Sequence, residues 1–348
     1  MPIPTEPIGS IPRPTSLIDA MKSGAADLEA RFDEAVADTI RRFEESGSPV
    51  ISDGEQRKPS FATYPIHGLA DLSADGVVIP FADGHTRQLP SLTAGPFRYR
   101  TFAVEYLERA QKSAHRPVKQ AVISASALSL LYPQAGIAGY PREAFIDDLV
   151  GQAETDIRRC LTAGADSVQI DFTEGRLAVK LDPSKGLLNA FVDLNNRVLE
   201  RFTTDERSKI GVHTCPGGDR DSTHSADIDY AQLLPSLFRL NVGRFYIQLA
   251  SEPNPGRVLE ILKEYARPGR TIFIGVIDPI HPQIETAEIV RDRILAAAKV
   301  IAPNLLGSTD DCGFSPFGDD MSTSRDTAFA KIRARVEGNA LASSALGI

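Results

Sequence analysis

The chain has 348 residues, of which 42% are hydrophobic and 24% are charged, as in ordinary soluble globular proteins. Its formal net charge of −8 argues against nucleic-acid or anionic-membrane binding, because both require a basic surface. No apolar run approaches the ~18 residues of a membrane span, and the first residues show no signal-peptide pattern. With three cysteines and no cysteine-rich spacing, we expect a cytoplasmic protein.

Short β-branched segments alternate with helical patterns along the chain. Apolar residues at helical spacing run from Leu28 to Phe43, and a short strand follows at 50–52. A first strand ends at 8–10, and further strands are predicted at 118–124, 167–172, 210–215, 245–250, 271–278 and 305–310. Helices are predicted between them, at 142–163, 188–203, 226–240, 256–266 and 286–301, with a last helix at 323–343.

This alternation predicts an α/β fold built from parallel βαβ units. Eight strand ends in one chain favour a closed (β/α)8 TIM barrel over an open sheet, and we expect a single domain over 1–348. Residues 75–100 interrupt the rhythm, and Asp83-Gly84 is a hairpin turn signal. We therefore predict a β-hairpin inserted after strand 2, over the mouth of the barrel.

Polar side chains follow nearly every predicted strand. Because active sites of such barrels lie at the carboxyl ends of the strands, these residues are candidates for the chemistry. Asp278 and His281 follow strand 7, and we expect them to be catalytic. The other candidates at strand ends are Ser10, Glu55, Asp171, His213, Cys215, Gln248 and Cys312.

His213 and Cys215 are two residues apart in a predicted strand, so both side chains point to one side. Cys312, at the end of strand 8, is positioned to supply a third ligand. Two thiolates and an imidazole with an open position are typical of catalytic Zn²⁺. The alternative is that His213 is an ordinary polar residue and the cysteines are small hydrophobes. Cys160, on the apolar face of a helix, is predicted to lie in the core.

Several other polar residues are expected to have no role in catalysis or metal binding. The acidic pairs Asp310-Asp311 and Asp319-Asp320 are more typical of solvated turns than of a metal site. The remaining histidines, other than His281, are expected at the surface or in loops; they are His67, His85, His115 and His224.

Five motifs occur in an order that resembles the catalytic barrel of the cobalamin-independent methionine synthase family, in the superfamily that includes uroporphyrinogen decarboxylase. They are Ile8-Gly9-Ser10, Asp53-Gly54-Glu55, Gln169-Ile170-Asp171, His213-x-Cys215 and Asp311-Cys312-Gly313. The resemblance implies that Ser10, Glu55 and Asp171 bind an amino-acid substrate. It also implies that His213, Cys215 and Cys312 bind zinc.

Two departures from the family pattern affect the chemistry. Gln248 stands where the family has a glutamate ligand, so we expect Gln248 in the metal shell, with Glu252 as a less favoured substitute. The family's pterin platform includes a tryptophan, and this chain has none. The methyl donor is therefore left open.

Three functions are compatible with these residues. The first is a zinc-dependent methyltransferase with a homocysteine-like thiol acceptor, whose partners are that thiol and a methyl or alkyl donor. The second is a zinc-dependent thiol–alkyl transferase or lyase of the epoxyalkane:coenzyme M type, which would need a cationic pocket for a sulfonate. The third is a non-catalytic binding barrel. Asp171 and Glu55 favour the first, because carboxylates recognise an amine, while Arg57 and Arg176 nearby keep the second open.

Overall fold

The computed structural model describes all 348 residues. Its strands are β1 (Leu72–Ser73), β2 (Val78–Pro80), β3 (Thr86–Gln88), β4 (Ser91–Leu92), β5 (Gln120–Ile123), β6 (Val168–Asp171), β7 (Ile210–Thr214), β8 (Gly218–Asp219), β9 (Ser222–Thr223), β10 (Arg244–Ile247), β11 (Thr271–Ile277) and β12 (Leu306–Asp310). Its α-helices are α1 (Thr15–Ser23), α2 (Leu28–Glu45), α3 (Val104–Gln111), α4 (Ala125–Leu128), α5 (Arg142–Thr162), α6 (Glu174–Leu181), α7 (Gly186–Leu199), α8 (Thr204–Ser208), α9 (Leu234–Leu237), α10 (Pro255–Tyr265), α11 (Ala287–Ala298) and α12 (Arg325–Ala345).

Six parallel strands form the central sheet, in the order β12-β11-β10-β7-β6-β5. Nearly every residue of these strands is buried, because helices cover the sheet and leave no solvated face. Single parallel bridges extend both edges, from Thr5 to Ser308 and from Ile51 to Val118. The fold is thus mixed α/β with a parallel sheet, as the alternating pattern predicts.

The helix predicted over 226–240 is not continuous. A 3-10 turn at Tyr230–Gln232 is followed by the short helix α9, which ends at Leu237. Pro235 lies in the first turn of α9. Proline cannot donate the backbone hydrogen bond of a helix interior, so a helix that crossed this position would be broken.

The segment that follows the bridge at Ile51 contains two antiparallel strand pairs, β1 with β4 and β2 with β3. The turn between β2 and β3 is closed by a hydrogen bond from Phe81 N to His85 O of 2.9 Å. The β2–β3 hairpin lies against β8–β9, where Ala82 N donates to Thr223 O at 2.9 Å. None of the helices combines the length and hydropathy needed to cross a bilayer.

A buried carboxyl group joins α5 to the segments packed on it. Asp156 accepts hydrogen bonds from the Tyr64 hydroxyl and from Ala103 N, the latter at 2.6 Å. Burial raises the pKa of Asp156 to about 6, against the hydrogen bonds from Tyr64 and Ala103. The carboxyl group is therefore easier to protonate in the folded chain than in the unfolded one.

This raised pKa predicts a pH dependence of stability. Between the unfolded pKa, about 3.9, and the folded value of about 6, the folded state binds more protons. The contribution of Asp156 to the free energy of unfolding therefore falls as the pH rises through that window. In Asp156→Asn this dependence is absent, so the variant should gain about 2–3 kcal/mol relative to wild type between pH 4 and pH 7.

Urea unfolding at both pH values measures this gain. Asp147→Asn, on the exposed side of the same helix, is the matched control and should show no comparable trend. An Asp156→Asn difference that is the same at pH 4 and pH 7 would contradict the assignment.

Candidate active site

The carboxyl ends of the central strands open into one cavity. Asp171 ends β6, and His213 lies near the end of the neighbouring strand β7. The ladder pairs these two residues directly. The predicted site residues that line this cavity are Ser10, Glu55, Asp171, His213 and Cys312.

Three metal-type donors come together beside this cavity. The ligand atoms of His213, Cys215 and Cys312 all lie within 4.8 Å of one another. The two Sγ atoms are 3.2 Å apart. Cys160 is fully buried in the apolar core, away from this group. His213 and Cys215, two residues apart in the chain, thus lie beside Cys312, as the sequence predicts.

The chemistry of this donor set fits zinc. Both ring nitrogens of His213 are buried and have no hydrogen-bond partner within the protein. Unpartnered buried polar atoms are rare, and a cation is one of their ordinary explanations. The hydrogen bond to Cys215, together with burial, raises the pKa of Cys312 well above its usual range. Two sulfur donors and one imidazole are the ligands of catalytic zinc centres.

Asp171 presents a carboxylate to the same cavity. It accepts a hydrogen bond from Gln169 Nε2 at 2.7 Å. Burial, together with the negative charge of Glu55, raises its pKa to about 6. Asp171 forms no salt bridge: Arg57 pairs with Glu29 and Asp33, and Arg176 pairs with Glu252. Neither arginine therefore engages the Asp171 carboxylate.

Glu55 lines the same cavity and is held in a buried ion pair. Lys58 Nζ is 2.8 Å from Glu55 Oε1 and also donates to the Ala121 carbonyl. Although burial opposes its charge, Glu55 and Asp53 raise the pKa of Lys58 above its ordinary value. The pair holds Glu55 in place, with one oxygen engaged.

Ser10 is packed against the segment that carries Cys312. Its Oγ accepts a hydrogen bond from Ser315 N at 3.2 Å. A Cβ at Gly313 would lie 2.0 Å from Ser10 Oγ, so only glycine permits this approach. The segment that carries Ser10 and the loop after β12 are thereby held together at the cavity wall.

Gln248 does not line the cavity. Its Oε1 accepts a hydrogen bond from Arg176 at 3.4 Å, and its Nε2 donates to Ser251 Oγ at 2.8 Å. Glu252 is bound by the same guanidinium at 2.7 Å. Arg176 is buried and engages both side chains, so the geometry supports neither Gln248 nor Glu252 as a metal ligand.

The acidic pair after β12 is structural. The Asp311 carboxylate accepts hydrogen bonds from the backbone N–H groups of Leu249, Ala250 and Ser251, at 2.7–2.9 Å. Asp310 pairs with the buried Arg335 of α12 at 3.1 Å. Asp311 therefore ties the loop after β10 to the loop that carries Cys312, rather than lying in a solvated turn.

Asp278 and His281 are not brought into the cavity. The Asp278 carboxylate accepts hydrogen bonds from the backbone of Ile280 and His281, as in a turn. His281 is exposed, and its Nδ1 accepts from Gln283 N. Their predicted catalytic role is therefore not supported by the geometry, because Asp278 is used locally and His281 faces solvent.

The β2–β3 hairpin forms a roof over the cavity with Ile79, Phe81 and Arg87. Arg87 Nε lies 2.6 Å from Asp219 of β8, and Arg87 Nη2 lies 2.8 Å from Asp319. These ion pairs fasten the hairpin to two segments at the rim. They also neutralise the positive charge of Arg87, the one arginine that lines the cavity.

His224 is a cavity residue, although the sequence predicts it at the surface or in a loop. It is buried and lines the same space as His213 and Cys312. Phe81 of the hairpin packs edge-on against it, with ring centroids 5.5 Å apart. Its sequence neighbours are polar, and only the folding of the hairpin onto β8–β9 buries it, so no local pattern predicts its position.

Comparison with known proteins gives a consistent result. A family model described as cobalamin-independent synthase, catalytic domain, matches residues 3–325. The methionine synthase of Sulfurisphaera tokodaii is 24% identical over 343 residues, which cover 97% of this chain and 91% of that protein. The methionine synthase of Sulfolobus acidocaldarius is 24% identical over 327 residues, which cover 89% and 85%.

Two solved structures share the fold. A B12-independent methionine synthase from Shewanella sp. W3-18-1, in complex with selenomethionine, has a TM-score of 0.80 at 20% identity, with 99% of each chain covered. A putative vitamin-B12-independent methionine synthase from Listeria monocytogenes has a TM-score of 0.68 at 21% identity, with 97% of each chain covered. The family match confirms the predicted resemblance and the prediction of a methyltransferase of the methionine synthase type. The chain belongs to the family of cobalamin-independent synthase catalytic domains.

Proposed function

We propose that the protein is a zinc-dependent methyltransferase that methylates the thiol of homocysteine or of a closely similar amino acid. The observation that carries the proposal is the meeting of His213, Cys215 and Cys312 within 4.8 Å, beside a cavity lined by Asp171 and Glu55. One small molecule would thus place its thiol beside the three donors and its amine beside the two carboxylates.

His213, Cys215 and Cys312 would hold the zinc. When bound, Zn²⁺ would supply thiol activation, since a coordinated thiol loses its proton near neutral pH and the thiolate is the nucleophile. The protein itself would bring these three donors together and enclose them. The cavity wall and the hairpin roof limit the access of water, which strengthens polar contacts inside.

Asp171 and Glu55 would bind the substrate ammonium. Each charge-assisted hydrogen bond of this kind contributes roughly 1.5–3 kcal/mol. Ser10, whose hydroxyl lines the same cavity, would hold the carboxylate end. The selenomethionine complex of the Shewanella relative supports an amino-acid site in this fold.

We also propose that the central sheet closes into a barrel. The edge bridges at Thr5 and Ile51, with the hydrogen bond from Ile11 N to Gly54 O of 3.0 Å, support closure of the sheet into an eight-stranded (β/α)8 barrel. We take 1–348 as one domain with the insertion at 75–100. The cysteine content supports a cytoplasmic location. The methyl donor stays open.

The thiol–alkyl transferase alternative would require a free cation for a sulfonate. Arg87 is the one arginine that lines the cavity, and Asp219 and Asp319 neutralise it. Arg57 and Arg176 are paired elsewhere. The charges therefore favour an amine-bearing thiol.

Metal content tests the donor set. Purified wild-type protein should hold about one zinc per chain, as a three-ligand catalytic site does. Cys215→Ala and Cys312→Ala should each lose most of it, since each removes a thiolate. Cys160→Ala, a cysteine of the apolar core, is the matched control and should keep its zinc in elemental analysis. Zinc-free wild type prepared without chelators would overturn the mechanism.

Asp171→Asn tests the recognition of the amine. The affinity for homocysteine should fall roughly 10- to 100-fold, because one charge-assisted hydrogen bond is lost. The affinity for 4-mercaptobutanoate, which is homocysteine without its amino group, should change little. Calorimetric titration of both thiols measures the difference, with thermal unfolding as the check on folding.

Equal weakening of both thiols would assign Asp171 a structural role instead. If wild type bound 2-mercaptoethanesulfonate more tightly than homocysteine, the methyltransferase proposal would fail in favour of the thiol–alkyl alternative.

A further inference from the structure

His224 is a buried histidine of the cavity to which neither the metal site nor the amine site gives a task. Its Nδ1 lies 2.6 Å from Ser225 Oγ, and this is the only hydrogen bond of the ring to the protein. Its Nε2 lies against Gly217, where a Cβ would approach it to 1.8 Å. Gly217 N in turn donates to Cys215 Sγ at 3.4 Å. The ring thus lies one backbone turn from the sulfur donors.

The position of the ring is fixed from several sides. The β8–β9 pair is extended by a hydrogen bond from His224 N to Gly217 O of 3.2 Å. Lys180 Nζ donates to the His224 carbonyl at 3.0 Å. Phe81 packs against the ring from the hairpin. The ring is thus held firmly at the cavity wall, with Nδ1 bonded to Ser225 and Nε2 without a hydrogen bond to the protein.

The surroundings keep the ring neutral. Burial, with the positive charges of Lys180 and Arg176, lowers the pKa of His224 to about 4, while Asp227 opposes them. At pH 7 the imidazole is uncharged, and a proton taken up there would be released readily. A neutral imidazole has a ring nitrogen that can accept a proton.

On the basis of the proposed function, we infer that His224 carries the thiol proton of the substrate out of the cavity through Nε2. The S–H bond breaks, its electron pair stays on sulfur, and the proton passes to Nε2. The imidazolium then gives this proton to solvent, which restores the neutral ring. No other reactant is needed, and one proton is released for each thiol bound.

The other groups of the cavity have different tasks. His213 is committed to the metal, and Asp171 and Glu55 face the substrate ammonium. His281, the histidine that the sequence favoured for catalysis, is exposed and does not line the cavity. His224 is the remaining histidine that lines the cavity.

Proton release can be followed directly. Zinc-loaded protein is mixed with homocysteine at pH 7.5 in weak buffer, with a pH indicator in a stopped-flow instrument. Wild type should release about one proton per chain, since the free thiol has a pKa near 8.5. His224→Gln should release the same amount but roughly 100-fold more slowly, the scale of lost proton transfer. Free imidazole in the buffer should restore the rate.

The zinc content and the equilibrium affinity for homocysteine should be unchanged in His224→Gln, whereas a merely structural role would alter them and would not respond to imidazole. His281→Gln, which removes an exposed imidazole, is the matched control and should release protons at the wild-type rate. Slow release in His281→Gln or Asp171→Asn, with fast release in His224→Gln, would overturn the inference.

Ser225→Ala covers the case in which His224→Gln does not fold with its zinc. It removes only the hydroxyl that orients Nδ1 and should slow release to a smaller extent; an unchanged rate would then overturn the inference. The proposed function and the role of His224 would be refuted by different results. Absence of thiol-linked proton release in wild type would refute the proposed function, whereas equally fast release in wild type and His224→Gln would refute only the role of His224.

Discussion

The parallel register between β6 and β7 is the constraint on which the site depends. The ladder from Val168–Ile210 to Asp171–His213 brings the carboxylate of Asp171 beside the imidazole of His213. A one-residue shift of either strand would turn the side chains of that strand to the opposite face of the sheet, because side chains alternate along a strand. Helices on the outer face make such a shift costly, since the buried Val and Ile residues of the shifted strand would move with it.

Residues on the strands were predictable from the sequence, and residues placed by long-range contacts were not. His213 and Cys215 share a side because of the period of an extended chain, and Cys312 joins them because parallel strands end at one edge. Gln248 also follows its strand as expected, but Arg176 of a different element binds its amide. His224 is buried only by the hairpin, whose packing against β8–β9 leaves no periodic signal in the sequence.

Arg176 also determines the charge of the site. It lies buried, pairs with Glu252 at 2.7 Å and reaches Gln248. An additional carboxylate is thereby held away from the sulfur donors. Two thiolates and a neutral imidazole would balance the charge of Zn²⁺, and a site without net charge is a stronger Lewis acid than an anionic one. Such a site favours loss of the thiol proton and gives a less electron-rich thiolate.

The glycines at the cavity wall restrict how this active site can diversify. Side chains at Gly217 or Gly313 would collide with His224 or Ser10, at 1.8 and 2.0 Å. The wall is therefore formed by backbone, and substitution there removes a working part instead of reshaping the space. The hairpin contributes Ile79 and Phe81 to the same lining through their side chains. Libraries for directed evolution that aim to change the shape of the cavity would therefore vary the hairpin and keep the two glycines.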